Sequence, residues 1–228
     1  VIREIILDTE TTGLSPRDGD RLVEIGCLEL INHIPTGRQY HQYINPEREV
    51  PEEAVRVHGL TWERLKPEPV FAQVADAFLE FVQDSPLVIH NASFDMGFIN
   101  HELGLLGKAP IPMARAVDTV QIARRKFPGA PASLDALCRR FGVDNSGRTF
   151  HGALLDASLL ADVYIELLGG RQVGLSFDRT TVSLGGVTVT TETLTVREAR
   201  PHAPTEDELA AHAAFIAKMK TPAIWLQE

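Results

Sequence analysis

The feature that most constrains this chain is a strand-like apolar run that ends in acids: Ile5-Ile6-Leu7-Asp8-Thr9-Glu10-Thr11-Thr12-Gly13. Ile5 to Leu7 has the character of a buried strand, which would ordinarily stay apolar or stop. Asp8 and Glu10 are two apart, so on a strand both side chains leave the same face. Two carboxylates held side by side repel unless a cation sits between them, and a divalent metal is the usual answer. The plainer reading is two solvated acids at a strand end. Spacing alone leaves these readings evenly matched, and the rest of the chain has to decide.

Arg3 to Thr9 reads as a first strand, Arg21 to Asn32 as a second and Arg38 to Ile44 as a third. A loop from Leu14 to Asp20 and a turn at Pro35-Thr36-Gly37 join them into an antiparallel meander. Pro51 to Val57 predicts a short helix with Pro51 at its first position, and Thr61 begins another helical piece. Val70, Val74, Phe78 and Phe81-Val82 recur at helical spacing and predict an amphipathic helix from Val70 to Gln83. Pro86 to His90 is a short apolar strand. Ser93 is its successor's expected N-cap, for a helix from Phe94 to about Leu106 that Gly107 stops. Ala116 to Asp118 is a minimal strand. Helices follow at Thr119 to Phe127 and, capped by Ser133, at Leu134 to Phe141. A loop from Asp144 to Phe150 leads into the longest helix, Gly152 to Leu168, with Leu155, Leu159, Val163 and Leu167 as its apolar stripe. Strands first in sequence and then alternating with helices predict an α/β sheet, antiparallel at one edge and parallel at the other, with helices on both faces.

The domain is expected to span residues 1–170, closing at Gly169-Gly170. Residues 178–204 carry few large apolar side chains and many Thr and Val, and read as a linker. A hairpin turning at Gly185-Gly186 competes with that reading. In the tail, 205–228, Thr205 and Glu208 fit a capping box. The stripe Leu209, Ala213, Ile216 and Met219 makes a helix of about 15 residues, marginal alone in water. That stripe, with Ile224 and Trp225 beyond Pro222, needs a surface to cover it. No internal repeat is evident.

Asp95 lies at a helix start just after a strand end, where ligand sites of α/β sheets gather. Asp156 lies in the first turn of the longest helix, and His151 just before it. Singly, such acids complement a helix dipole and such a histidine is a cap or a surface residue. Together, Asp8, Glu10, Asp95 and Asp156 fall where elements begin or end, on one rim of the sheet. Four carboxylates and an imidazole suit a two-metal hydrolytic site.

The net charge is −9, which argues against a protein that holds long DNA by phosphate contacts alone. A nucleic-acid enzyme of this charge grips a short end, uses metal ions or leans on a partner. No apolar run is as long as a membrane span. The first residues show no signal peptide, and a chain that opens on Val1 reads as trimmed at its start. Cys27 and Cys138 lie within apolar patterns rather than as a metal-type pair, which fits a reducing, cytoplasmic setting.

The segments Leu7 to Gly13, His90-Asn91-Ala92-Ser93-Phe94-Asp95 and His151-Gly152-Ala153-Leu154-Leu155-Asp156 resemble the exonuclease motifs of the DEDD superfamily, histidine branch. Within it, the closer resemblance is to the proofreading subunits of bacterial replicative DNA polymerases. Val57-His58-Gly59, Phe127-Pro128-Gly129, Ser133 to Cys138 and Asp144-Asn145-Ser146 strengthen it, and the likeness covers about residues 3 to 177.

The resemblance implies a ribonuclease H-like fold and 3′→5′ removal of nucleotides from a DNA end, single-stranded or frayed, with two Mg²⁺ or Mn²⁺ ions. It implies that Asp8, Glu10, Asp95 and Asp156 hold the metals and that His151 is the general base. Glu53 and His58 match positions that contact the terminal nucleotide, with Thr11 doing so through its backbone. Within 171–177, Gln172, Leu175 and Phe177 resemble a peptide that binds the bacterial sliding clamp. The tail, with Trp225 as a buried anchor, is expected to dock on the polymerase catalytic subunit, with room for a small accessory subunit as a further partner.

The competing readings are a free-standing 3′ exonuclease acting on RNA or short oligonucleotides and a non-catalytic assembly subunit. A metal-dependent endonuclease of related fold is less favoured. The clamp-like peptide and tail argue against the first, the intact acids and His151 against the second, and the histidine motif against the third.

Overall fold

The computed structural model describes residues 1–146, 150–170 and 203–218. The chain forms two compact units, Val1–Ser176 and Phe177–Glu228. The first is built on a five-stranded sheet of order β3-β2-β1-β4-β5. Its strands are β1 (Arg3–Thr11), β2 (Leu22–Ile31), β3 (Ile34–Tyr43), β4 (Leu87–Ile89) and β5 (Ala116–Asp118). β1 pairs antiparallel with β2, and β2 with β3, while β1, β4 and β5 run parallel. The acid-bearing strand is therefore the central one. It runs through Glu10 and Thr11, two residues beyond its expected end, because β2 stays paired with it as far as Leu22.

Strand alternation divides the core. Ile5 and Leu7 face one cluster with α3 (Phe71–Val82) and α4 (Ala92–Leu105), through Phe71, Phe78, Met96 and Ile99. Ile6 faces the other, with α5 (Thr119–Lys126), α6 (Leu134–Phe141) and α7 (Ala153–Leu168), through Ala123, Leu137, Leu160 and Val163. Burying each large apolar side chain contributes about 1.5–3 kcal/mol, so each helix layer is anchored by the strand residues beneath it.

Local chemistry sets most element ends. Ser133 caps α6 by accepting the Ala136 N–H, Asp118 caps α5 by accepting the Val120 N–H, and Gly142 ends α6 in the left-handed region. The short helices α1 (Glu52–His58) and α2 (Trp62–Leu65) follow β3, with Pro51 as the N-cap of α1 rather than its first residue. At α3, Val70 offers no capping oxygen, and the Gln73 side chain accepts its N–H at 3.1 Å.

Elsewhere the structure departs from expectation. The β2–β3 turn falls at Asn32 and His33, both at positive φ, 50° and 64°, which makes a tight two-residue hairpin. Pro35, Thr36 and Gly37 lie inside β3, where the register slips between Leu28 and Leu30. An edge strand tolerates both the proline and the irregularity. α4 begins two residues early, capped by Asn91 at φ 69° instead of Ser93. On α7, Leu155 is 41% exposed. The helix is buried on a broad arc through Ala157, Leu160, Ala161 and Tyr164, and Leu155 lies outside it.

In the second unit, α8 (Glu206–Ala217) begins with the expected capping box. Glu208 N–H donates to Thr205 Oγ1 at 3.3 Å and Thr205 N–H to Glu208 Oε2 at 2.8 Å. No residue of α8 is buried. Gln172, Leu175 and Phe177, the linker up to His202, Met219, Ile224 and Trp225 lie outside the described residues. Among the described residues no helix is long and apolar enough to cross a membrane.

One polar contact ties the sheet to α7. Buried Glu4 accepts the Tyr164 hydroxyl at 2.7 Å. His33 Nδ1 stands 2.7 Å from Glu4 Oε2 but off the hydrogen-bond direction. Tyr164→Phe is expected to cost about 1–3 kcal/mol, the penalty for a buried acceptor losing its donor. Urea unfolding should show a lowered midpoint with unchanged slope.

Candidate active site

Parallel pairing brings the carboxyl ends of β1 and β4 to one edge of the sheet, so the start of α4 arrives beside the end of β1. From the other face α7 arrives in the same place, and the reason is Gly26. Gly26 pairs with Asp8 across β1 and β2. A Cβ on it would stand 2.4 Å from the carbonyl carbon of Ala153 and from the amide nitrogen of Leu154. The first turn of α7 therefore rests on bare strand backbone, the close approach that a glycine within a strand permits.

The result is a cleft of about 290 Å³ lined by Asp8, Glu10, Asp95, His151 and Asp156, with Thr9, His90, Phe94, Ser133, Leu134 and Asp135 completing the wall. Glu10, Asp95 and Asp156 are buried, and each of the last two lies in the first turn of its helix. There the helix dipole favours negative charge. Ligand atoms of Glu10, His151 and Asp156 lie within 4.8 Å of one another. His151 Nδ1 is 3.4 Å from Asp156 Oδ2, and the His151 backbone N–H donates to the Val57 carbonyl at 3.0 Å. Asp95 is fixed by the end of β1: its Oδ1 accepts the Thr9 N–H at 3.1 Å and the Thr9 hydroxyl at 2.8 Å. A larger cavity of about 660 Å³ lies at the opposite end of β2, walled by Ile34, Pro35, Ile165 and Leu168; size alone does not mark the chemistry.

Carboxylates gathered this closely, with an imidazole and, among the described residues, no lysine or arginine in the wall, are a donor set for hard divalent cations such as Mg²⁺ or Mn²⁺. Burial pushes the Asp95 carboxyl up to about 7, against the Thr9 bonds that pull it down and with the Asp118 charge adding to the rise.

The expected nucleotide contacts stand apart from this cleft wall. Glu53 is on α1 with its side chain 83% exposed, 3.5 Å from Arg56. The Thr11 hydroxyl donates to the Gly13 carbonyl at 2.6 Å. His58 is buried, and its Nδ1 accepts the Leu60 N–H at 3.0 Å. Its Nε2 comes near the Thr11 backbone without closing a hydrogen bond. Burial, with the neighbouring His151 adding, holds the His58 imidazole below its usual value.

Two features escaped sequence reasoning. Gly26 is one, and its signal was available: a lone glycine inside an otherwise apolar strand. The other is Glu24, buried directly across from Glu10 and bonded to His41 Nε2 at 2.7 Å. Only strand register reveals that pairing.

Residues 5–164 match the family model described as Exonuclease. The DNA polymerase III subunit epsilon of Rickettsia felis is 51% identical over 226 residues, covering 96% of this chain and 97% of that protein. The chain belongs to the DNA polymerase III epsilon-subunit family. The Escherichia coli epsilon subunit is 42% identical over 225 residues, covering 94% of this chain and 92% of its own. Among solved structures, Exonuclease X in complex with 5′-overhanging duplex DNA is 25% identical, with a TM-score of 0.57, covering 72% of this chain and 90% of that one. The nuclease domain of a DEDDh-family 3′ exonuclease bound to rAMP shares the fold at a TM-score of 0.63 and 20% identity, covering 73% and 91%. The sheet and its helices are thus the ribonuclease H-like exonuclease fold. As an epsilon-family member the chain is a metal-dependent 3′→5′ exonuclease that proofreads for a DNA polymerase.

The raised Asp95 has a consequence for stability in chelator. Between the usual aspartate range and about 7 the folded chain keeps a proton that the unfolded chain has lost. Metal-free stability should therefore fall as pH rises through that window. Asp95→Asn should flatten the dependence, as read from denaturation midpoints at pH 5 and pH 8.

Proposed function

We propose that Asp8, Glu10, Asp95 and Asp156 hold two divalent ions, Mg²⁺ or Mn²⁺, and that His151 is the general base for hydrolysis of the last phosphodiester of a DNA strand. The observation that carries this reading is the convergence of Glu10, His151 and Asp156 within 4.8 Å at the end of the central strand, with Asp8 and Asp95 in the same wall. When bound, the ions supply the positive charge that offsets the carboxylates and the charge building up on the phosphate. The attacking water gives its proton to the His151 imidazole, the type of side chain that most often serves as a general base. Asp156, beside Nδ1, orients the ring and stabilises the imidazolium that forms. Asp95, locked by Thr9, keeps its carboxylate aimed without reorganising.

His58 and Thr11 serve the terminal nucleotide: a buried imidazole nitrogen with an unmade hydrogen bond is a ready contact for it. Glu53 joins them from α1. An acidic protein manages this because it holds a few nucleotides only, and a mispaired end is already partly unstacked, which lowers the cost of delivering it.

The division of labour along the chain follows: 1–170 as the exonuclease domain, Gln172, Leu175 and Phe177 as sliding-clamp contacts, 178–204 as linker, and 205–228, with Trp225, as the anchor on the polymerase catalytic subunit. The work is cytoplasmic, at the replisome, with room for a small accessory subunit. The exposed apolar side chains of α8, Leu209 at 53% and Phe215 at 66%, support docking of the tail. So does the likeness to the Rickettsia protein over nearly the whole chain.

Asp8→Ala should abolish degradation of a labelled mismatched primer, and excess chelator should do the same to the unaltered chain. His151→Ala should slow turnover by roughly 10²–10⁴-fold with a much smaller effect on metal affinity. Wild-type turnover in either variant would refute its assignment. A second pair of variants separates the partners. Changing Gln172, Leu175 and Phe177 to Ala should weaken clamp binding by about 1–2 kcal/mol per anchor and spare the polymerase. Deleting 205–228 should do the reverse. Hydrolysis of a short oligonucleotide should persist in both, and retained binding of the nominal partner would remove that assignment.

A further inference from the structure

We propose that Phe150 is a positioning residue for His151, latching the segment ahead of α7 onto the last turn of α1. The inference rests on the reading of His151 as the general base.

A large aromatic side chain that is 53% exposed calls for no explanation by itself. What Phe150 touches does. Its ring is seated on the backbone of Gly59: a Cβ there would lie 3.2 Å from the ring's Cγ and 3.3 Å from Cδ2. Gly59 closes α1 in the left-handed region at φ 75°, with its N–H on the Val55 carbonyl at 2.8 Å. Any side chain at 59 would meet both that conformation and the ring.

The next residue makes the second attachment, His151 N–H to the Val57 carbonyl at 3.0 Å. Residues 150 and 151 are thus pinned to 59 and 57, two contacts in antiparallel sense on a helix end that is itself capped. On the other side of His151 stands Gly152, the extended N-cap of α7 at φ −144°, with no side chain to restrict it. The imidazole hangs between a pinned aromatic and a permissive glycine. Its bearing on Asp156, at 3.4 Å, is set from the α1 side.

α1 also carries Glu53 and His58. His58 is close enough to His151 to feel its charge. The latch therefore ties the base to the element read as contacting the terminal nucleotide. A base displaced by about 1 Å loses on the order of 10² in rate, and such a loss appears in the chemical step and not in binding.

The test is a double-mutant cycle on the full chain, by single-turnover hydrolysis of a short single-stranded DNA with Mn²⁺. Phe150→Ala should lower kcat by roughly 10–10², leaving KM, Mn²⁺ affinity and the thermal midpoint near wild type. Phe150→Tyr, which keeps the ring, should restore kcat. Phe150→Ala combined with His151→Ala should be no slower than His151→Ala alone, because a latch has nothing to position once the base is gone. If His151→Ala is itself as fast as wild type, the base assignment has failed and the latch falls with it. If His151→Ala is slow while Phe150→Ala keeps its kcat, changes only KM, or multiplies with His151→Ala, the base stands and the latch is overturned.

Discussion

The cleft depends on one contact without side chains, the first turn of α7 lying on β2 at Gly26. Asp8 is the partner of Gly26 across the strands, so the place where α7 comes closest is also where the central strand turns acidic. A methyl group there would overlap the Ala153 and Leu154 backbone and drive the helix off by more than its neighbours can absorb. Asp156 would leave Glu10 with it. The acids of the cluster repel one another. Apolar burial holds α7 in place, through Ala157, Leu160 and Val163 over Ile6 and Val88. Hydrophobic packing thus imposes a charge arrangement that electrostatics in the metal-free protein opposes.

That opposition is consistent with how a chain of net charge −9 handles a polyanion. Long-range attraction is not its instrument. The cleft is small, its acids lie at its wall, and the charge that meets a phosphate arrives with the ions. Reach along DNA then belongs to whatever holds the chain in place.

Much of this was legible in the residues. The period-two pattern of β1 foretold that Ile5 and Leu7 would face away from Ile6, and the two core clusters follow that division. Asp95 and Asp156 were found because first-turn acids stand next to recognisable caps and glycines. Legibility ended where tertiary pairing takes over. Pro35-Thr36-Gly37 carries stronger turn chemistry than Asn32-His33, yet the hairpin closes at the latter because Leu30 and Ile31 must stay in register with β3. Ser93 and Asn91 are comparable N-caps in isolation, and the helix starts from Asn91 at φ 69°, a left-handed conformation that asparagine tolerates better than serine. Leu155 fitted a helical stripe and is exposed, since α7 is buried on an arc too broad for a stripe to define. Glu24 became visible only opposite Glu10.

β1 is read from both sides. Asp8 and Glu10 belong to the face of Ile6, while Thr9, which holds Asp95, belongs to the face of Ile5 and Leu7. Asp156 comes in with one helix layer and Asp95 with the other. The four acids therefore meet only when both layers are docked, so the cleft works as a logical AND over the packing of the whole sheet. A chain in which only one helix layer has docked brings together at most three of the four acids, so the set is completed by the same packing that completes the fold.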